Sequence, residues 1–291
     1  MNNLKAMWLM LIGMACFSSA DGIIKFLSVS ISKGQIMTCM GLAGAVVFYL
    51  LCRRKGTTVR DAVFFHPVLI IRNIAEIVAA LAIFTALSLA PLSSVAAILQ
   101  AVPLVITLCA AWGLKEKVGP RRWAAIIVGF IGVLIIVRPN SGSLDVALLL
   151  AVLGMVSLSI RDLASRLAPP EASTPLLSFY AFSGLIPTGL ILSALTDGFD
   201  PINGTAALIL LAMSALALTG YLCVTIAMRI GEVSAVSPLR YARLPFAAVV
   251  GFLLFAEVPD AATLFGSALV IGSGLFVMLR EAQISRAARG I

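Results

Sequence analysis

Ten apolar stretches, each close to the ~20 residues that cross a ~30 Å hydrocarbon layer, follow one another along this chain with very short connectors between them. Together they occupy most of the 291 residues, and no soluble catalytic domain fits beside them. The predicted spans are 4–27, 34–52, 68–89, 92–114, 121–137, 143–165, 175–195, 205–229, 233–255 and 261–280. The chain is therefore predicted to be an all-α membrane protein that acts within the bilayer.

The composition supports this prediction. Hydrophobic residues make up 61% of the chain and charged residues 12%, about half the charged share of soluble proteins, and the mean hydropathy is +1.09. The apolar runs are too long and too uninterrupted for the core helices of a soluble protein. The first span is longer than a signal-peptide core and nine more follow it, so we expect it to be retained.

Lysine and arginine are concentrated in alternate connectors, which accounts for the net charge of +8. The basic connectors and the C-terminus contain Arg53, Arg54, Lys55, Arg60, Lys115, Lys117, Arg121, Arg122, Arg166, Arg229, Arg280, Arg286 and Arg289. Cytoplasmic loops are enriched in Lys and Arg because positive flanks resist translocation. We therefore expect a multi-pass protein of the bacterial cytoplasmic (inner) membrane with both termini in the cytoplasm. The basic charge then reports topology, and no nucleic-acid partner is expected.

The residue patterns of common catalytic and metal sites are absent from the sequence. The five cysteines are scattered without a CxxC pair, so they are interpreted as packing residues. The only histidine, His66, precedes Pro67 in a connector, and no GxxxxGK[ST], HExxH or GxSxG motif occurs. We expect no cofactor, no metal and no ATP hydrolysis. An intramembrane enzyme is the alternative class, but it would need a catalytic pair at membrane depth, and Asp21 and Asp162 are predicted near opposite faces.

The two halves of the chain repeat each other with a shift of 141 residues. The informative matches are Gly13-Met14 with Gly154-Met155, Ser18 with Ser159, Asp21 with Asp162, Lys25 with Arg166, and Glu116 with Glu257. This predicts one five-helix repeat in 1–140 and a second in 141–291. Because five is odd, the second repeat enters the bilayer in the opposite orientation, a design common among secondary transporters.

A repeated acid-to-base pair marks the ends of the first and sixth spans. Asp21 and Lys25, and likewise Asp162 and Arg166, are four residues apart, the favourable spacing for an ion pair on a helix. Two interpretations remain open: helix-end salt bridges that anchor each half, or a role in gating.

Several segments resemble a known transporter family. The segment from Ala90-Pro91-Leu92-Ser93 to Ile98, with Pro103 and the exit Leu114-Lys115-Glu116-Lys117, resembles the fourth helix of EamA-type transporters, and Arg121-Arg122-Trp123 through Gly132 to Arg138-Pro139 resembles their fifth. The second half carries a weaker version in Val233–Pro238, Pro245, Glu257 and Gly272. The resemblance places the chain in the drug/metabolite transporter superfamily. It implies ten helices around a central cavity that is lined by helices one, three, four, six, eight and nine.

Ionisable residues at membrane depth are costly and usually mark a pathway or a paired network. By helical rise, Glu76 is expected roughly 12 Å from the cytoplasmic face, Arg240 at about 10 Å and Arg243 at about 15 Å. We therefore expect Glu76 to pair with Arg240 or Arg243. Three arginines, with Arg72, against one glutamate would leave positive charge unmatched. This arrangement is either a network that locks helices three and nine or a site for an anionic substrate group.

The candidate substrate-binding residues combine these charges with neutral hydrogen-bonding groups at similar depth. They are Arg240, Arg243, Tyr241, Gln100, Glu76, Asn73, Ser18, Tyr221 and Thr225. Glu76 is also the obvious proton carrier, although the neighbouring arginines favour transport that is not obligatorily coupled to protons. Residues Pro103, Pro238, Pro245 and Pro187 are predicted to interrupt helices four, nine and seven.

The predicted function is a secondary transporter or facilitator that exports a small polar metabolite. An amino acid is the leading substrate class, and import or exchange of a nucleotide-related or sulfonium metabolite is the alternative. Ala125 with Gly129, and Ala268 with Gly272, give helices five and ten close-packing faces. These faces favour contact between the repeats within a monomer, with a homodimer as the alternative.

Overall fold

Apolar helices form nearly all of the structure. The computed structural model describes residues 3–54, 56, 62–113, 119–138, 145–169, 171–196, 198–230 and 236–288. The first half contains α1 (Asn3–Leu27), α2 (Lys33–Arg54), a 3₁₀ helix (Ala62–Phe65), α3 (Pro67–Leu89), α4 (Leu92–Leu99), α5 (Val102–Gly113) and α6 (Pro120–Val137). The second half contains α7 (Val146–Arg166), α8 (Thr174–Leu195), α9 (Gly204–Ile230), a 3₁₀ helix (Ser237–Ala242), α10 (Arg243–Phe255) and α11 (Ala261–Ala288).

Ten membrane spans account for these helices, as predicted. Within the described ranges, nine helices are long and apolar enough to cross a membrane, and Trp123–Val137 is a shorter apolar helix. Span four consists of α4 and α5, and span nine of the second 3₁₀ helix and α10. An even number of spans puts both chain ends on one face of the bundle, here called the terminal face, and the opposite face is called the distal face.

Residues at the helix ends show why the spans begin and end where they do. Pro67 occupies the first turn of α3, where its missing N–H costs nothing, and the His66 side chain accepts a hydrogen bond from the Val68 amide at 3.3 Å. The Asp145 carboxylate caps α7 by accepting from the Ala147 amide at 2.9 Å. Asp260 does the same for α11 through the Thr263 amide at 2.8 Å. Hydrogen bonds from the Thr263 hydroxyl and amide, reinforced by Arg138, hold the pKa of the Asp260 carboxyl below its ordinary value.

Proline breaks two of the three spans in which an interruption was predicted. Span four is broken at Gln100 and Ala101, just before Pro103, and span nine begins as a 3₁₀ helix between Pro238 and Pro245. The prediction was wrong for Pro187, which lies inside a continuous α8. A single proline removes one backbone hydrogen bond, and in a bilayer neighbouring helices and local adjustments can compensate for that loss.

The packing of the helices follows the two-fold pseudo-symmetry of an inverted repeat. Helix α1 packs along α9, and the repeat-equivalent helix α7 packs along α3. Glycines at equivalent positions of the two repeats make both crossings possible. A Cβ on Gly13 would lie 2.8 Å from a Val224 methyl, and a Cβ on Gly154 would lie 2.6 Å from Ile83. Ile83 and Val224 are themselves related by the shift of 141 residues.

The fifth and tenth spans meet directly. A Cβ on Gly132 would lie 2.7 Å from the Gly266 carbonyl oxygen, and a Cβ on Gly266 would lie 2.6 Å from that of Gly132. Gly129 packs at the same interface, with Ser273 Oγ 2.6 Å from its Cβ position, whereas Gly272 faces open space. The predicted face of the fifth span therefore joins the two repeats within one chain. The predicted face of the tenth span was wrong, because Ala268 and Gly272 are exposed and Gly266 makes the contact instead. The oligomeric state stays a prediction.

Candidate substrate site

The breaks in spans four and nine lie together, and repeat-related hydroxyl groups bind the carbonyl groups beside them. Ser18 Oγ donates to the Arg243 carbonyl at 2.9 Å. Ser159 Oγ lies 3.4 Å from the Val102 carbonyl and also donates to Met155 O at 2.7 Å. The shift of 141 residues relates Ser18 to Ser159 and Val102 to Arg243. Discontinuous helices at a repeat interface are where secondary transporters place their substrates.

A side chain from one break reaches the other. Gln100 Nε2 donates to the Arg240 carbonyl at 3.2 Å. The repeat equivalent of Gln100 is Tyr241, which is buried with its ring against α11, since a Cβ on Gly274 would overlap the Tyr241 hydroxyl at 1.7 Å. That hydroxyl has no hydrogen-bond partner among the described atoms. The Arg240 side chain is exposed.

Four charged residues form one network between α3 and α7, here called the α3–α7 charge cluster. Arg161 Nη1 lies 3.3 Å from both carboxylate oxygens of Glu76, and Arg72 Nη2 lies 3.4 Å from one of them. Arg161 also binds Asp162 through Nε at 2.9 Å and Nη2 at 2.8 Å. Two positive and two negative charges cancel. The cluster is therefore formally neutral at a depth where a net charge would be costly.

Polar side chains surround this cluster. Arg72 donates to Asn73 Oδ1 at 3.0 Å and lies 3.4 Å from Ser165 Oγ. Tyr221 of α9 lies near both Arg72 and Arg161. Its hydroxyl shares a 2.5 Å hydrogen bond with Ser178, and Thr225 Oγ1 donates to the Tyr221 carbonyl at 2.8 Å.

A second ion pair joins α1 to α10, and it involves different partners from those predicted. Arg243 Nη2 donates to Asp21 Oδ2 at 2.6 Å, and its guanidinium carbon lies 5.5 Å from the centroid of the Phe17 ring. Arg243 Nε is buried without a hydrogen-bond partner among the described atoms. Ser18, one turn before Asp21, binds the backbone of the same arginine.

The predicted partnership of Glu76 with Arg240 or Arg243 is therefore wrong. The predicted pairing of Asp21 with Lys25 on one helix is also wrong, because Lys25 pairs with Glu257 instead. The cause is helix packing: α3 lies along α7 and α10 lies against α1, so the nearest opposite charge comes from the facing helix. The predicted pairing of Asp162 with Arg166 cannot be followed, since the Arg166 side chain lies outside the described residues, but Asp162 pairs with Arg161.

Sequence reasoning missed Arg161, which completes the cluster. The available signal was its position inside the sixth span, next to the already noted Asp162. Its repeat equivalent is Ala20, so the arginine is a departure from the repeat. Asp162 and Asp21 were not predicted as partners of membrane-embedded arginines, but they pair with Arg161 and Arg243. The expected surplus of positive charge is consequently absent from both networks.

A cavity of about 150 Å³ adjoins the α3–α7 charge cluster. Its walls come from α2, α3, α7 and α8, and it is lined by Met40, Glu76, Ala79, Ala80, Ile83, Phe84, Leu158, Ala181, Phe182 and Leu185. Spans three and six line it as expected, and spans two and seven line it although this was not expected. The lining includes no described residue of spans one, four, eight or nine, which were also expected to contribute. Glu76 is the charged group in an otherwise apolar lining. A ligand here would meet the Glu76 carboxylate together with hydrocarbon and aromatic surface.

These features together define a class of protein. Ten spans in two inverted repeats, two broken helices that meet between the repeats, and charged side chains beside a cavity in the bundle are the features of a secondary transporter. The chain belongs to the EamA-like transporter family, whose model matches residues 4–138 and again residues 145–279.

Relatives with named substrates differ in what they carry. The chain is 30% identical to a riboflavin transporter of Rhizobium johnstonii over 97% of this chain and 93% of that protein. It is 31% identical to a riboflavin transporter of Vibrio cholerae over 67% of this chain and 65% of that protein, just under two thirds of its length. It is 27% identical to a pseudopaline exporter of Pseudomonas aeruginosa over 88% of this chain and 89% of that protein.

A solved structure has the same fold. A crystal structure superposes with a TM-score of 0.58 over 97% of this chain and 96% of that chain, at 19% sequence identity. This similarity concerns the fold alone. It supports the arrangement of the ten spans.

Proposed function

We propose that this protein moves an organic metabolite with a polar, hydrogen-bonding part and an apolar or planar part across the membrane by alternating access. The observation that carries the proposal is the position of Glu76, which belongs to a neutral charge cluster and also lines an apolar cavity. A neutral cluster selects no particular net charge, but it offers both hydrogen-bond donors and acceptors. The adjoining cavity offers aromatic surface from Phe84 and Phe182.

The substrates in the relatives' names fit this description. Riboflavin and S-adenosylmethionine each join a planar heterocycle to a polar chain. This chain is similar to proteins named as riboflavin transporters and to others named as S-adenosylmethionine uptake transporters. We therefore place a flavin-like or nucleoside-like metabolite first. The relatives include proteins named as uptake transporters and one named as an exporter. The direction of transport is therefore a question for the transport assay.

Amino-acid export is the second candidate. The Arg240 side chain supports it: the side chain is exposed, the carbonyl of the same residue accepts a hydrogen bond from Gln100, and among the described residues no acid pairs with its guanidinium. Such a group can attract a carboxylate. The weaker point is that Arg243, the other arginine of span nine, already pairs with Asp21.

Counterflow in proteoliposomes tests the proposal. Vesicles that contain the full-length protein are loaded with unlabelled riboflavin, S-adenosylmethionine or a mixture of amino acids, and uptake of the same radiolabelled compound is followed with and without a proton gradient. We expect saturable counterflow of riboflavin or S-adenosylmethionine that an imposed pH gradient changes only modestly. If neither compound exchanges faster than in empty vesicles, the first proposal fails. Exchange of amino acids alone would establish the second.

The setting of this activity is part of the proposal. We infer that the protein works in the bacterial cytoplasmic membrane, with the terminal face in the cytoplasm and as a monomer. The alternating Lys and Arg content of the connectors supports the orientation. The use of the α6–α11 glycine faces inside one chain supports the monomer.

A further inference from the structure

One lysine joins three separate segments at the distal face. Lys25 Nζ, near the end of α1, donates to the Ala90 carbonyl at 2.6 Å and forms an ion pair with Glu257, just after α10. The other oxygen of the Glu257 carboxylate accepts a hydrogen bond from the Leu92 amide at the start of α4, at 2.8 Å. Lys25, Ala90, Leu92 and Glu257 are here called the distal lock.

The distal lock is enclosed and its polar groups are paired. The side chains of Lys25 and Glu257 are 16% and 17% exposed, and Ala90 and Leu92 are almost fully buried. The Lys25 ammonium also lies 5.1 Å from the centroid of the Phe255 ring. The carboxylate satisfies an otherwise unpaired N–H in the first turn of α4, where the helix dipole favours a negative charge.

Each segment that the lock joins also carries a residue of the candidate substrate site. On α1, Asp21 lies one turn before Lys25. Helix α4 begins at Leu92 and ends next to Gln100, and α10 begins with Arg243 and ends just before Glu257. These segments run from the two helix breaks to the distal face, so a route from the breaks to that face would pass between them and would require the lock to open.

We propose that the distal lock holds the distal gate of the transporter closed and that it breaks and re-forms once in each transport cycle. The proposal rests on the proposed function, since only alternating access requires such a gate. Both charged members recur in the sequence repeat, as Arg166 and Glu116, whose side chains lie outside the described part of the chain.

Hydrogen–deuterium exchange of the full-length protein in lipid nanodiscs tests the proposal without a known substrate. Glu257→Gln keeps an oxygen that can accept from the Leu92 amide and removes only the charge, and Lys25→Met removes the other charge. In both variants we expect backbone amides at the distal ends of α1, α4 and α10 to exchange roughly tenfold faster, the factor that corresponds to about 1.4 kcal/mol in the free energy of opening. Exchange at the terminal-face end of α1 and in the second 3₁₀ helix, at the terminal-face end of span nine, should become slower, because the population shifts toward the form that is open at the distal face.

Two matched variants serve as controls. Asp260→Asn removes the ion pair with Arg138 at the same face, between α6 and α11, and keeps an oxygen for the α11 cap. It should leave exchange in α1, α4 and α10 unchanged, and Lys25→Arg should restore most of the protection.

The outcomes separate the lock from the transport activity. Faster distal exchange without slower exchange at the terminal face would make the lock a local structural pair and overturn the proposal, as would no change at all. If counterflow fails for every substrate while the two faces still respond in opposite directions, the distal lock stands and the proposed substrates are wrong.

Discussion

At the scale of single residues, Glu76 is where two guanidinium groups meet. Arg161 and Arg72 both lie within 3.4 Å of its carboxylate, and the side chains of Arg72 and Glu76 are only 5% and 16% exposed. Replacing an acid in such a network leaves its partners as uncompensated charges, which costs more than the pair itself contributes. Glu76 is therefore expected to matter for stability as well as for transport.

We predict that Glu76→Gln lowers the free energy of unfolding by on the order of 2 kcal/mol, because two arginines lose their shared anion. Thermal unfolding monitored by size-exclusion chromatography in detergent measures the change. Adding Arg161→Gln should recover part of the loss, and Glu171→Gln at an exposed turn should leave Tm unchanged. A Glu76→Gln variant as stable as the unmodified protein would show that the cluster is held together in another way.

The two arginines of span nine should respond differently to the same substitution. Arg243→Gln removes the partner of Asp21, so we expect lower thermal stability together with impaired counterflow. Arg240→Gln disturbs no ion pair among the described residues, and its side chain is exposed. It should keep the Tm of the unmodified protein, and it should abolish amino-acid counterflow if that is the activity. Equal loss of stability in both variants would contradict this distinction.

At the scale of elements, the broken spans depend on two serines with unequal hydrogen bonds. Ser18 donates to the Arg243 carbonyl at 2.9 Å, whereas Ser159 lies 3.4 Å from its equivalent target and has a second acceptor in Met155. We predict that Ser18→Ala costs about 1 kcal/mol of stability and that Ser159→Ala costs clearly less. Chemical or thermal denaturation of the two variants side by side measures the difference. A larger effect at Ser159 would contradict the order.

Much of the arrangement of helices follows from patterns that sequence displays directly. Apolar runs set the ten spans, the Gly-Met and Asp matches set the repeat, and Pro103, Pro238 and Pro245 mark the breaks. These are local or periodic signals, because each depends on a residue's own chemistry and its neighbours in the chain. Pro187 is the exception, since its effect depends on what packs around α8.

The partners of charged side chains could not be predicted in the same way. Depth along a helix can be counted from the sequence, but the direction that a side chain faces depends on which helices touch. Glu76 and the arginines of span nine were placed at similar depth, yet Glu76 faces α7 and Arg243 faces α1. Gly13 and Gly154 permit the close α1–α9 and α3–α7 crossings. The sequence shows that these two glycines match each other in the repeat, but it does not show which helix each one contacts.

At the scale of the whole molecule, topology is the property that the sequence predicts and that experiment can settle most directly. We expect both termini in the cytoplasm, because the Lys and Arg bias favours that orientation. A C-terminal alkaline phosphatase fusion should be inactive, and a C-terminal fluorescent-protein fusion should be bright. A phosphatase fusion after Val29, in the connector at the distal face, should be active and serves as the positive control. An active C-terminal phosphatase fusion would reverse the assignment of the faces.

The pairing of charges inside the bundle has an electrical consequence. The Asp21–Arg243 pair and the four residues of the α3–α7 charge cluster each sum to zero. A charge carried across the membrane feels about 2.3 kcal/mol per 100 mV, but groups that move together as neutral sets feel almost nothing. Reorientation of the empty carrier should therefore be nearly insensitive to voltage, so any current would come from the cargo. A potassium diffusion potential should leave counterflow of a neutral substrate unchanged and should bias net transport of a charged one.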